Sequence, residues 1–190
     1  TAEARFAAMI ASIHQLETEC WIRNESDRLA VRDGCYFSVE AGAFVVWWIE
    51  YHCRLYEGEE AGQPVLMRCG NPEIDPDYSQ WDEDNPTIPH WDEGGREQYY
   101  DRALRYAEWQ STVEHKDWQF ECTMRLFGWM RYSEKWGRNI RRFREASIWI
   151  PKKSKKTPTL AAWSMYLTCG DGEQGGKTFA GAKDGTQASI

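Results

Sequence analysis

The sequence has no long apolar run. Its longest, residues 43–49, has only seven residues, far short of the roughly 20 that a helix needs to cross a bilayer. A membrane-spanning helix is therefore excluded. No basic segment followed by an apolar core opens the chain, so no secretory leader is read. The start at Thr1 rather than Met leaves room for residues before it. The six cysteines, at 20, 35, 53, 69, 122 and 169, include no Cys-x-x-Cys pair, and no histidine stands at zinc spacing. They are also too sparse for a small disulfide scaffold, so reduced and mostly buried thiols are expected. Proline is scarce, and five of the seven fall between positions 64 and 89.

What is present suits a globular domain. The hydrophobic share of 42% is too high for a disordered chain, and 190 residues fit one domain better than two. Eleven tryptophans scatter along the whole length and read as packing residues. The net charge of −7 hides a segregation: residues 1–115 hold 9 basic and 23 acidic side chains, residues 116–156 hold 12 and 4. A basic block inside an acidic chain suggests a phosphate-bearing partner there, against the alternative of a solvated helix face. Arg138, Arg141, Arg142 and Arg144 belong to this block and receive no assigned role.

Local patterns divide the chain into three regions: a helical part, 1–67; an acidic, Pro- and Trp-rich insert with a linker helix, 68–115; and the start of a further domain, 116–190. Phe6, Met9, Ile10 and Ile13 have helical spacing in a first helix. Asp33-Gly34 marks a turn, and Ser38 caps a helix reaching about Tyr56 whose wide apolar face should be buried on several sides. Residues 68–101 read as an irregular loop. Its carboxylates, Asp75, Asp77, Asp82 and Asp84, lack the order of a calcium loop and are expected to be solvated. Asp117 should cap a helix to about Tyr132, and residues 146–150 look like a buried strand ending at Pro151. A helix over 159–169, a strand over 178–182 and a cap at Asp184 complete the pattern of a parallel α/β sheet.

Between that strand and helix lies Pro151-Lys152-Lys153-Ser154-Lys155-Lys156-Thr157-Pro158. Strand, loop and helix N-terminus in this order form the context of a phosphate-cradling P-loop. Of the G-x-x-x-x-G-K-[ST] string only the last two positions match, as Lys156 and Thr157; Ile150 and Lys155 stand where the glycines would be. A basic loop after a strand is the bland alternative. Gly172-Glu173-Gln174-Gly175-Gly176-Lys177-Thr178 is a better string in a worse context, because a helix precedes it and a strand should follow.

These residues resemble the large terminase subunit of tailed bacteriophages. Ile148-Trp149-Ile150-Pro151-Lys152-Lys153-Ser154-Lys155-Lys156-Thr157 is similar to that family's strand and P-loop, with Lys155 in place of a glycine. Gly181-Ala182-Lys183-Asp184-Gly185-Thr186-Gln187-Ala188 is similar to a later block. Asp117-Trp118-Gln119, with Leu126-Phe127-Gly128-Trp129, is similar to the adenine-contacting segment. The resemblance spans about two-thirds of the chain, without the first helix and the insert.

The resemblance implies an incomplete P-loop NTPase-type parallel sheet behind a mainly helical N-terminal region. It implies an ATPase that drives double-stranded DNA into procapsids in the host cytoplasm. Lys156 and Lys152 would be catalytic, and Lys153, Ser154, Lys155, Lys156, Thr157, Pro158, Trp118 and Gln119 would bind ATP. Thr157 would hold Mg²⁺. Ordinary packing and a solvent-facing position are the alternatives for Trp118 and Gln119. The implied partners are the DNA, a portal protein and a small terminase subunit, in a homo-oligomeric ring. No strand ending in Asp-Glu follows Thr178, and no nuclease region is present. The chain is thus expected to be an N-terminal fragment, inactive alone. Two other readings stay open: a helicase-like P-loop translocase, and a degenerate module that binds nucleic acid without hydrolysis.

Overall fold

The computed structural model describes residues 2–56, 58–77, 87–112, 118–151 and 154–172. Its helices are α1 (Ala2–Trp21), α2 (Glu25–Arg32), α3 (Val39–His52), α4 (Gly95–Thr112), α5 (Trp118–Gly128) and α6 (Lys156–Met165). Three short strands, β1 (Cys35–Phe37), β2 (Trp129–Ser133) and β3 (Arg138–Arg141), form one sheet in the order β1-β2-β3. The chain divides into two compact units, Thr1–Trp47 with Met67–Ser147, and Trp48–Leu66 with Ile148–Ile190.

In the first unit Asn24 caps α2, its side-chain oxygen accepting the Asp27 N–H at 3.0 Å. The chain turns at Asp33-Gly34, with Gly34 at φ 82°, enters β1 and reaches α3. There the Ser38 hydroxyl accepts the Ala41 N–H at 3.2 Å, the cap that the sequence announces. β1 pairs antiparallel with β2, Phe37 opposite Trp129, and β2 pairs antiparallel with β3, Ser133 opposite Arg138. The core is aromatic. Trp21 stacks on Phe37 at 4.6 Å between centroids, Trp129 meets Phe37 edge-on at 5.5 Å, and Tyr106 bridges Trp21 and Phe120. Tyr106 and Tyr100 have phenol pKa values raised well above the usual range, by burial first and by Glu121 and Glu17 respectively.

In the second unit the chain beyond α3 doubles back, Val65 N–H donating to the Cys53 carbonyl at 3.0 Å and Leu55 N–H to that of Gln63 at 2.8 Å. α6 ends in a π-helical turn, Tyr166–Gly170, and Tyr166 packs edge-on against Trp48 at 5.5 Å. Gly170 abuts the same indole so closely that a Cβ would lie 2.7 Å from it.

Several expectations are corrected. No parallel sheet exists among the described residues; the only sheet is antiparallel, built from β1 and the β2–β3 hairpin. An incomplete P-loop NTPase-type sheet is therefore not the architecture of these residues. Residues 147–151 have no ladder partner, and Trp149 is 93% exposed. An apolar run bounded by proline favours extended backbone, but a strand also needs a neighbour to take its N–H and C=O groups. The helix expected to reach Tyr132 ends at Gly128, where Ser38 N–H donates to the Gly128 carbonyl at 2.8 Å and β2 begins. Helical periodicity runs on through Trp129 because that residue is buried on its strand too.

The 68–101 region is not all loop, since α4 starts at Gly95. Asp75 is not solvated. Its buried carboxylate accepts Cys69 N–H at 2.8 Å, Gly70 N–H at 3.1 Å and the buried Arg102 guanidinium at 3.0 Å. All six cysteines are free, with Cys53 and Cys69 buried; burial raises their thiol pKa values to about 11 and about 12. The strand 178–182, the Asp184 cap and the Gly-Lys-Thr string at 176–178 lie outside the described residues. Among the described residues no helix is long and apolar enough to cross a membrane.

Candidate functional site

The candidate site is the loop that leads into α6, in the second unit. Lys155 has φ 53° and ψ 28°, the left-handed conformation. It is the only residue other than glycine with positive φ among those described. Holding an L-residue there costs about 1–2 kcal/mol, so its surroundings must fix it. Its carbonyl accepts from the Thr159 hydroxyl at 2.9 Å and lies 3.4 Å from the Thr159 amide. Thr159 is fully buried. Before the turn, the Ser154 hydroxyl donates to the Pro151 carbonyl at 3.0 Å. Ala162, Trp163 and Tyr166 bury the far side of the helix and set its direction.

This arrangement places the expected ligands at the start of a helix. Lys156 and Thr157 occupy its first two positions and are exposed. Pro158 follows in the first turn, where a missing N–H removes no helical bond. A left-handed residue followed by helical ones turns successive N–H groups toward one point, and the helix dipole adds positive potential there. No acidic residue occupies the first turn. Of the two threonines, Thr159 has its hydroxyl committed to Lys155, whereas Thr157 is exposed. One carboxylate lies beside the loop: Glu60 Oε2 is 3.5 Å from Lys155 Nζ, both side chains being well exposed. Nothing in the local sequence announces Glu60, because the pair joins distant parts of the chain.

Lys152 and Lys153 lie outside the described residues. Trp118 and Gln119 open α5 in the first unit, both half-buried, and the Gln119 carbonyl accepts the Thr123 hydroxyl at 2.7 Å. The loop residues 154–158 are thus brought together, while Trp118 and Gln119 belong to the other unit.

The basic block is not uniform. Arg142 donates to the Ser26 carbonyl and hydroxyl at 3.2 and 3.1 Å and stands 3.5 Å from Asp27. Arg125 grips both oxygens of Asp27 at 2.8 and 2.9 Å. This cluster ties α2 to α5 and to the residue after β3, and was not legible as a pair in the sequence. A hollow of about 270 Å³ beside it, lined by Ser26, Asp33, Arg131 and Arg142 among others, contains no residue of the loop. Among the described residues no three His, Cys, Asp or Glu side chains gather as a metal site.

No family model, no curated protein and no solved structure matches the chain.

Proposed function

We propose that residues 151–158 bind the phosphates of ATP. We also propose that the chain serves, like the large terminase subunits it resembles, in an ATP-driven motor that moves double-stranded DNA into a procapsid. The observation that carries the reading is the left-handed Lys155 directly before α6. It stands at the position where the resembling loop has glycine, the residue for which that conformation is easiest. The reading rests on this loop and helix and on the motif order, not on a parallel sheet.

In this scheme the first-turn N–H groups of α6 orient the phosphates. Lys156 brings an ammonium to the β- and γ-phosphates, and the Thr157 hydroxyl is the ligand for Mg²⁺. Lys152 and Lys153 add positive charge, and Trp118 and Gln119 are the adenine contacts that the resemblance implies. ATP, when bound, supplies the γ-phosphate that can be transferred to water. The portal protein, the small terminase subunit and a homo-oligomeric ring are part of the same proposal, as is a place in the host cytoplasm.

The test is titration of the chain with a fluorescent ATP analogue and Mg²⁺. Saturable binding is expected, and Lys156→Ala should abolish it while leaving the circular dichroism spectrum and melting temperature unchanged. Equal affinity in the variant, or no binding by the unsubstituted chain at millimolar nucleotide, would overturn the assignment.

A further inference from the structure

α1 carries a surface that the first unit leaves uncovered. Its C-terminal half is docked: Trp21 packs on Phe37 and Tyr106, the Thr18 hydroxyl accepts the Phe37 N–H at 2.8 Å, and Glu17 is held by Tyr100 and Val39. Around the helix from that face runs a second stripe. Phe6 (62% exposed), Met9 (51%), Ile13 (38%) and Leu16 (64%) follow the alternating three- and four-residue spacing of a coiled-coil seam, and the exposed Cys20 continues it. The burial of the helix comes from residues other than these.

We infer that this stripe pairs with the same stripe on a second copy of the chain, with the two α1 helices antiparallel. Charge selects the direction. Aligning Phe6 with the partner's Leu16, and Met9 with the partner's Ile13, brings Arg5 beside the partner's Glu19 at both ends of one flank. On the other flank Ile10 meets its own copy near the two-fold axis and widens the apolar strip. That flank also brings the exposed Glu3 beside the partner's Glu17, a like-charge approach eased because the Glu17 carboxylate is turned inward and hydrogen-bonded to Tyr100 at 2.6 Å. A parallel pair has neither feature: Arg5 would then face the partner's Ile10. It would also set the two bodies at the same end of the helices, side by side, although the first unit carries 23 acidic and 16 basic side chains and so repels its own copy. Antiparallel pairing places them at opposite ends of a helix about 30 Å long. The contact is isologous, so it closes at two copies and is separate from any head-to-tail ring. It does not depend on nucleotide binding.

Sedimentation velocity over a concentration series tests the pairing, with the full 190-residue chain. A monomer–dimer equilibrium is expected, and Ile13→Glu should weaken it by about tenfold or more, because a carboxylate would enter the seam. Ile13 is outside the docked face, so the melting temperature of the variant should not fall when both chains are compared at a concentration where they are monomeric. Register is read by cross-linking: Ala2→Cys lies opposite the partner's Cys20 only in the antiparallel pair. Oxidised Ala2→Cys should give a covalent dimer that is lost when Cys20→Ser is added. A monomer at every concentration overturns the inference. So does a dimer untouched by Ile13→Glu, or one that cross-links through Cys20 alone, which marks a parallel pair.

Discussion

Lys155 shows what a single residue can reveal once its backbone is known. By type it is a charged surface side chain; by conformation it does the work of a glycine. Thr159 fixes the turn from within the helix, and the exposed ion pair with Glu60 adds little, since such pairs are worth about 0–1 kcal/mol. Replacing Lys155 by glycine removes the left-handed strain of about 1–2 kcal/mol, but glycine restores backbone freedom to the unfolded chain at about 0.5–1 kcal/mol. Lys155→Gly should therefore leave stability unchanged or raise it by up to about 1.5 kcal/mol, as read by urea denaturation. A loss of stability would mean that the Lys side chain itself holds the loop.

At the scale of elements, the α5–β2 junction decides the fold of the first unit. Gly128 ends the helix against the Phe37 ring, where a Cβ would lie 2.5 Å from the ring edge. Phe37 is itself fixed between Trp21 and Trp129, so the ring has little room to yield. Gly128→Ala should cost about 1–3 kcal/mol, the usual range for overpacking a dense core. A shift in the urea midpoint measures it, and no shift would mean that the aromatic cluster is looser than its spacing implies. The same junction explains why the sequence misleads here. Trp118, Cys122, Leu126 and Trp129 have helical spacing, yet the last of them belongs to a strand. Periodicity reports which residues are buried, and a buried strand residue next to a helix satisfies it equally well.

For the molecule as a whole, acid stability should follow Asp27. Its side chain is only 1% exposed. Burial pushes its carboxyl upward, but the Arg125 guanidinium, the Arg23 N–H and the charge of Arg142 outweigh this and hold it below its ordinary value. A carboxyl lowered in the folded state contributes stability that is complete above the unfolded value, about 3.9, and is lost as pH falls through the folded one. Asp27→Asn should cost about 3 kcal/mol at pH 7, the lower part of the range for breaking a buried pair. The gap between variant and unsubstituted chain should close as the pH is taken below 3.9, measured by urea titration at each pH. A gap of equal size in acid would show that the hydrogen-bond geometry, not the charge, carries the effect.

The sequence by itself determined whatever depends on neighbours along the chain. Ser38 caps α3, Asp33-Gly34 turns, Pro158 falls in the first turn of α6, and the first helix runs through the residues whose spacing announces it. The helix that follows the Lys-rich loop was legible for the same reason: its signals lie in consecutive residues. Only the tertiary structure decided matters that involve partners far apart in the chain. Residues 146–150 have the composition of a strand but no ladder beside them, while the Arg-rich residues 138–141 became β3 because β2 pairs with them. The acidic insert hides Asp75 under Arg102, and the apolar stripe of α1 stays in the open. In each case the side chain's own preference was readable. Which surface met it was set by chain folding over long separations, and no local pattern encodes that.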